Sequence, residues 1–92
     1  MNDYRIFETA EFIKKLDKLS QLDKSFIQNK LKIYVYPQIK STHWFGKNIK
    51  KLNGFDPETW RYRIGKFRLF YLIEEKEHTI YMLTIDYRTD AY

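Results

Sequence analysis

The chain has no cysteine, which excludes disulfides, thiolate nucleophiles and Cys-ligated zinc. Glycine and proline are scarce, three and two residues, and no linker, repeat or low-complexity stretch divides the sequence. No apolar run is long enough for a signal peptide or a membrane span, so the expectation is a cytoplasmic protein with no membrane partner. Acidic residues are in deficit, 12 against 17 Lys+Arg, and the net charge of +5 favours polyanionic or acidic partners. No His/Asp/Glu spacing suggests a metal site, and neither metal nor cofactor is expected. Aromatic residues are abundant, 18% of the chain. They give large side chains to a core that, at 92 residues, belongs to one domain spanning 1–92 and buries about two-thirds of the unfolded surface.

The patterning predicts an α+β domain. Tyr4 to Phe7 is a short strand, and Thr9 caps a helix from Ala10 whose apolar stripe is Phe12, Ile13, Leu16 and Leu19. Ser20 caps a longer helix with Leu22, Phe26, Ile27, Leu31 and Tyr34 as its stripe, and Pro37 ends it. In the second half Trp60, Tyr62 and Ile64 alternate with Arg61 and Arg63, which places the two arginines on one strand face. Gly65-Lys66 fits a two-residue turn. Phe67 to Ile73 reads as a central strand covered on both faces, and Thr79 to Ile85 as a third strand. The order is β-α-α-β-β-β, with a helical hairpin on one face of a mostly antiparallel sheet and the other face partly open.

That open face is where the chemistry gathers. Arg61, Arg63, Arg68 and Arg88 fall on adjacent strands, and guanidinium forks suit a phosphate backbone and the charge that grows on it during reaction. Asp86 and Asp90 flank Arg88 and orient it. Ahead of them lies a basic segment with Lys47, Lys50 and Lys51 as candidate RNA contacts, and Trp44, either a base-stacking or a core side chain. His43 and His78 offer a second acid–base reading, although no spacing brings them together.

Lys51-Leu52-Asn53-Gly54, the run from Trp60 to Tyr71 and the closing Ile85-Asp86-Tyr87-Arg88-Thr89-Asp90-Ala91-Tyr92 resemble the RelE/ParE superfamily of type II toxins across essentially the whole chain. The resemblance implies a RelE-like fold, a cognate antitoxin as partner, and one of two activities. RelE-like members cut messenger RNA, usually in the ribosomal A site; ParE-like members poison DNA gyrase. Carried over by motif, Arg63, Arg68, Arg88 and Tyr92 fall on the catalytic positions of the RNA-cutting branch. Arg61 and Arg63 stand where some ribosome-dependent members have lysines. Arginine stays protonated, so Tyr92 is left as a base, or as a stacking residue with proton transfer supplied by solvent or the ribosome. A catalytically silent nucleic-acid- or antitoxin-binding module is the third reading.

Overall fold

A computed structural model describes residues 4–41, 46–55 and 57–87. Strand β1 (Arg5–Glu8) leads into helix α1 (Ala10–Asp17) and helix α2 (Gln21–Lys30). A π-helical turn (Leu31–Val35) continues directly into α3 (Tyr36–Ser41). Four strands follow: β2 (Ile49–Lys51), β3 (Trp60–Ile64), β4 (Phe67–Glu74) and β5 (Thr79–Tyr87). They form one five-stranded sheet in the order β1-β5-β4-β3-β2. The β1–β5 pair is parallel and the others are antiparallel. The α+β architecture with helices on one face is as expected, with β2 as an additional short strand.

Local chemistry explains where the elements start. The Thr9 hydroxyl accepts from the Phe12 N–H at 3.2 Å and donates to the Met82 carbonyl at 2.8 Å, so one side chain caps α1 and moors it to β5. Ser20 accepts from the Asp23 N–H at 3.2 Å at the start of α2, and Lys24 reaches back to Asp17 at 2.8 Å across the turn between the helices. Ile64 pairs with Phe67, closing a two-residue hairpin in which Gly65 takes φ +52°, the positive value that glycine reaches without a Cβ clash.

One expectation about the long helix is corrected. Pro37 does not end it: the helical path runs to Ser41. The preceding turn is π-helical, with the Tyr36 N–H donating to the Leu31 carbonyl. Widening at that point accommodates a residue that lacks an N–H and crowds the carbonyl one α-turn back. The apolar stripe is also different. Ile27, Leu31, Val35 and Ile39 are buried, whereas Leu22, Phe26 and Tyr34 are 81%, 42% and 56% exposed. Those three belong to a second, outward-facing stripe together with Ile33.

The core joins Phe12 and Leu16 of α1 to the buried helical stripe and to one face of the sheet, with Trp60, Tyr62, Ile64, Phe67, Leu69, Tyr71, Ile80, Met82 and Ile85. In β4 the alternate residues Phe67, Leu69 and Tyr71 are buried, and Arg68, Phe70 and Leu72 are half-buried. This strand is central but fully covered on one face only, contrary to the expectation of two. Opposite Phe70–Tyr71 the register skips Leu83, a bulge that increases local twist. Among the described residues no helix is long and apolar enough to cross a membrane.

Candidate nucleic-acid interface

Residues directly opposite each other in neighbouring strands share a sheet face. The register therefore aligns two rows on the face away from the helices. One runs Lys50–Arg61–Phe70–Thr84 and the next Arg63–Arg68–Asp86. Lys50 opposite Arg61 and Arg63 opposite Arg68 are both like-charge pairs. The Arg63 N–H donates to the Asn48 carbonyl at 3.0 Å on the β2 side, so toward β4 it forms a non-hydrogen-bonded pair, the geometry that brings side chains closest. Each like-charge pair opposes folding by about 0.2–1 kcal/mol, and a bound anion would reverse the sign.

The face also holds buried polar atoms. Arg68 Nε and Thr84 Oγ1 are buried and make no hydrogen bond among the described residues, a state that costs about 1–3 kcal/mol for each group. Arg68 thus carries a desolvated donor within the arginine row.

The structure brings Lys50, Arg61, Arg63 and Arg68 together. Lys51 stands apart: it pairs opposite Trp60, so it points to the other face, where its ammonium meets Glu58 at 2.7 Å. Lys47 is exposed in the turn before β2. Arg88 and Tyr92, expected at the catalytic centre, lie outside the described residues, as do His43, Trp44 and Asp90. His78 is a turn residue at φ +50°, with its ring 5.0 Å from that of Tyr4 and its carbonyl accepting from the Arg5 N–H at 2.8 Å. Among the described residues no cluster of His, Cys, Asp or Glu could hold a metal.

Several phenols are disqualified as bases. Burial, then the hydrogen bond to Glu8, raises the Tyr36 hydroxyl far above the ordinary tyrosine value. Burial does the same to Tyr71. Tyr62 is raised by burial too, against a smaller lowering by Asn48, while its hydroxyl donates to Gln38 Oε1 at 2.6 Å. All three hold their protons at neutral pH. Tyr87 is half-exposed at the end of β5, with Lys66 Nζ 3.4 Å from its hydroxyl.

A feature unmarked in the sequence lies beside the arginine rows. A groove of about 840 Å³ opens between the end of β3 and the outer side of α2 and the π-turn, lined among others by Phe26, Lys30, Tyr34, Asn48, Tyr62 and Arg63. Its signal in the sequence is Phe26 and Tyr34, which belong to the apolar stripe of the long helix but are exposed and line the groove.

The sequence pattern of the family described as ParE toxin of type II toxin–antitoxin system, parDE, matches residues 6–92. The chain belongs to that toxin family. Its fold is that of RelE toxins. It superposes with a TM-score of 0.73 on a structure of the toxin–antitoxin complex RelBE2 from Mycobacterium tuberculosis, at 21% identity over 96% of this chain and 94% of that one. The isolated RelE toxin of E. coli gives a TM-score of 0.70 at 16% identity, covering 96% and 87%. The archaeal RelE–RelB complex from Pyrococcus horikoshii gives 0.62 at 22%, covering 97% and 99%. Comparison with curated proteins found no match. The chain is thus a toxin of a type II toxin–antitoxin system.

Proposed function

We propose that this toxin arrests translation by cutting messenger RNA in the ribosomal A site, with the open sheet face as its phosphate site. The observation that carries the reading is the pair of like-charge oppositions, Lys50–Arg61 and Arg63–Arg68. They weaken the free fold and strengthen it once a polyanion is bound. In the reaction the ribose 2′-oxygen gives up its proton and attacks the adjacent phosphorus. The bond from phosphorus to the 5′-oxygen breaks, and that oxygen takes up a proton. The products are a 2′,3′-cyclic phosphate and a 5′-hydroxyl. Charge grows on the phosphoryl oxygens, so fixed guanidinium groups at Arg63 and Arg68, joined by Arg88, stabilise the transition state more than the ground state. Arg61 and Lys50 hold the flanking backbone. Tyr36, Tyr62 and Tyr71 are held neutral, and the family resemblance assigns proton transfer to Tyr92 or leaves it to solvent or ribosomal groups.

A cognate antitoxin is the expected partner in the cell, because the related structures from Mycobacterium and Pyrococcus are toxin–antitoxin complexes. An acidic segment covering the arginine rows would relieve the same repulsion that RNA relieves.

The second reading is gyrase inhibition, favoured by the description of the matching family as ParE. One experiment separates them: toeprinting and end-chemistry of messenger RNA on programmed ribosomes, run beside a gyrase supercoiling assay. A-site cuts bearing cyclic phosphate, lost in Arg63→Ala and Arg68→Ala, are the expected result. Intact RNA with blocked supercoiling overturns the ribonuclease reading.

A further inference from the structure

The groove beside β3 exists because β2 is short. Its three residues pair only with Trp60 to Tyr62, so among the described residues Arg63, Ile64 and Gly65 have no strand alongside them on that edge beyond the Asn48 carbonyl. The helical wall opposite is built by the π-turn, which contributes Ile33, Tyr34 and Val35 to the lining. π-turns are frequent at functional sites, and here the irregularity presents Ile33 and Tyr34 outward, 52% and 56% exposed.

The lining has a specific chemistry. Among the described residues its two charged members, Lys30 and Arg63, are both cations, and no carboxylate contributes. Lys30 Nζ stands 4.7 Å from the Tyr34 ring centre and 5.7 Å from that of Phe26, so positive charge is held at the rim over aromatic faces. Asn48 and Gln38 present amides, and Gln38 is fixed by the Tyr62 hydroxyl at 2.6 Å. Aromatic faces, cations and amides in one concave site are the groups that take a base by stacking, its phosphate by charge and its edge by hydrogen bonds.

We infer that this groove is a nucleotide subsite of single-stranded RNA, receiving a base next to the phosphate held by Arg63, with Tyr34 as the stacking platform and Asn48 reading the base edge. The inference rests on the ribonuclease reading for its consequence, a cleavage-site preference, but the binding stands on the groove alone. Charge alone would also suit an acidic peptide at Lys30 and Arg63; the exposed Phe26 and Tyr34 rings, with the Asn48 and Gln38 amides beside them, favour a base.

The test is binding of a 2′-deoxy, uncleavable tetranucleotide to the purified chain by fluorescence anisotropy, together with mapping of cleavage positions on ribosomes programmed with randomised A-site codons. Tyr34→Ala, at an exposed position that leaves the core intact, is expected to weaken binding about tenfold, the worth of one stacked base. Tyr34→Phe should bind like the parent chain. Asn48→Ala should change which bases are preferred at the cleavage position. Wild-type affinity in both Tyr34→Ala and Lys30→Glu overturns the subsite, and so does loss confined to capture of an acidic antitoxin peptide. Tetranucleotide binding that depends on Tyr34 without any cleavage would keep the subsite and sink the ribonuclease reading, so the two failures are distinguishable.

Discussion

Arg63 and Arg68 face each other across a hairpin where most chains place opposite charges or β-branched side chains. Replacing Arg63 by threonine removes the repulsion and adds a strand-favouring residue. The expected outcome is a protein more stable by about 0.2–1 kcal/mol, a rise of up to about 5 °C in Tm for a domain of this size, with cleavage lost. Calorimetry at low and high salt checks it, because the gain should shrink as salt screens the pair; a variant that melts earlier would mean that Arg63 supports the fold. The buried phenols make a separate claim. Tyr36 and Tyr71 keep their protons in the folded chain well above the ordinary value and lose them near pH 10 when unfolded. Their contribution is therefore complete below about pH 10 and declines above it, at about 1.4 kcal/mol per pH unit for each group. Denaturant titrations from pH 9 to 11.5 should show that decline, and Tyr36→Phe should flatten it by one proton.

Among the elements, α1 depends on one hydroxyl. Thr9 caps the helix and donates to Met82, so Thr9→Ala should cost about 1–2 kcal/mol and Thr9→Ser much less; equal losses in both would shift the cause to the methyl group. The strands were legible because period-two alternation is local: Trp60 to Ile64 and the Gly65-Lys66 turn follow from adjacent residues alone. The long helix was legible in existence but not in facing. A single π-turn rotates everything after it, so Val35 and Ile39 go into the core where a regular helix would put Tyr34, and Pro37 reads equally well as a helix end or as the cause of such a turn. The arginine face could be read for the same reason as β3. That Lys50 joins it and Lys51 does not depends on pairing across β2, which sequence spacing does not contain.

At the scale of the molecule, Lys50, Arg61, Arg63 and Arg68 make one cationic field on one side of the sheet. Single-stranded RNA releases about 0.7 counterion for each phosphate neutralised, so four contacts predict a slope near −3 for log affinity against log salt. Arg68→Gln should reduce that slope by about 0.7, whereas Lys51→Gln, on the opposite face beside Glu58, should leave it unchanged. Titrations of RNA binding from 50 to 300 mM salt decide between the two faces; a shift with Lys51→Gln would extend the binding surface around β2.

The parallel pairing of β1 with β5 has a consequence for birth as well as for form. Arg5 finds its partner at Thr79 and Glu8 at Met82, the longest sequence separation in the sheet and the slowest kind to close. Until β5 has been synthesised and released, β1 has no neighbour, α1 has no Met82 carbonyl for its cap, and Arg68 has no strand beyond it. The β1 edge and the mooring of α1 are therefore the last parts of the fold to close, after the local β2–β3–β4 pairings that carry Lys50, Arg61, Arg63 and Arg68.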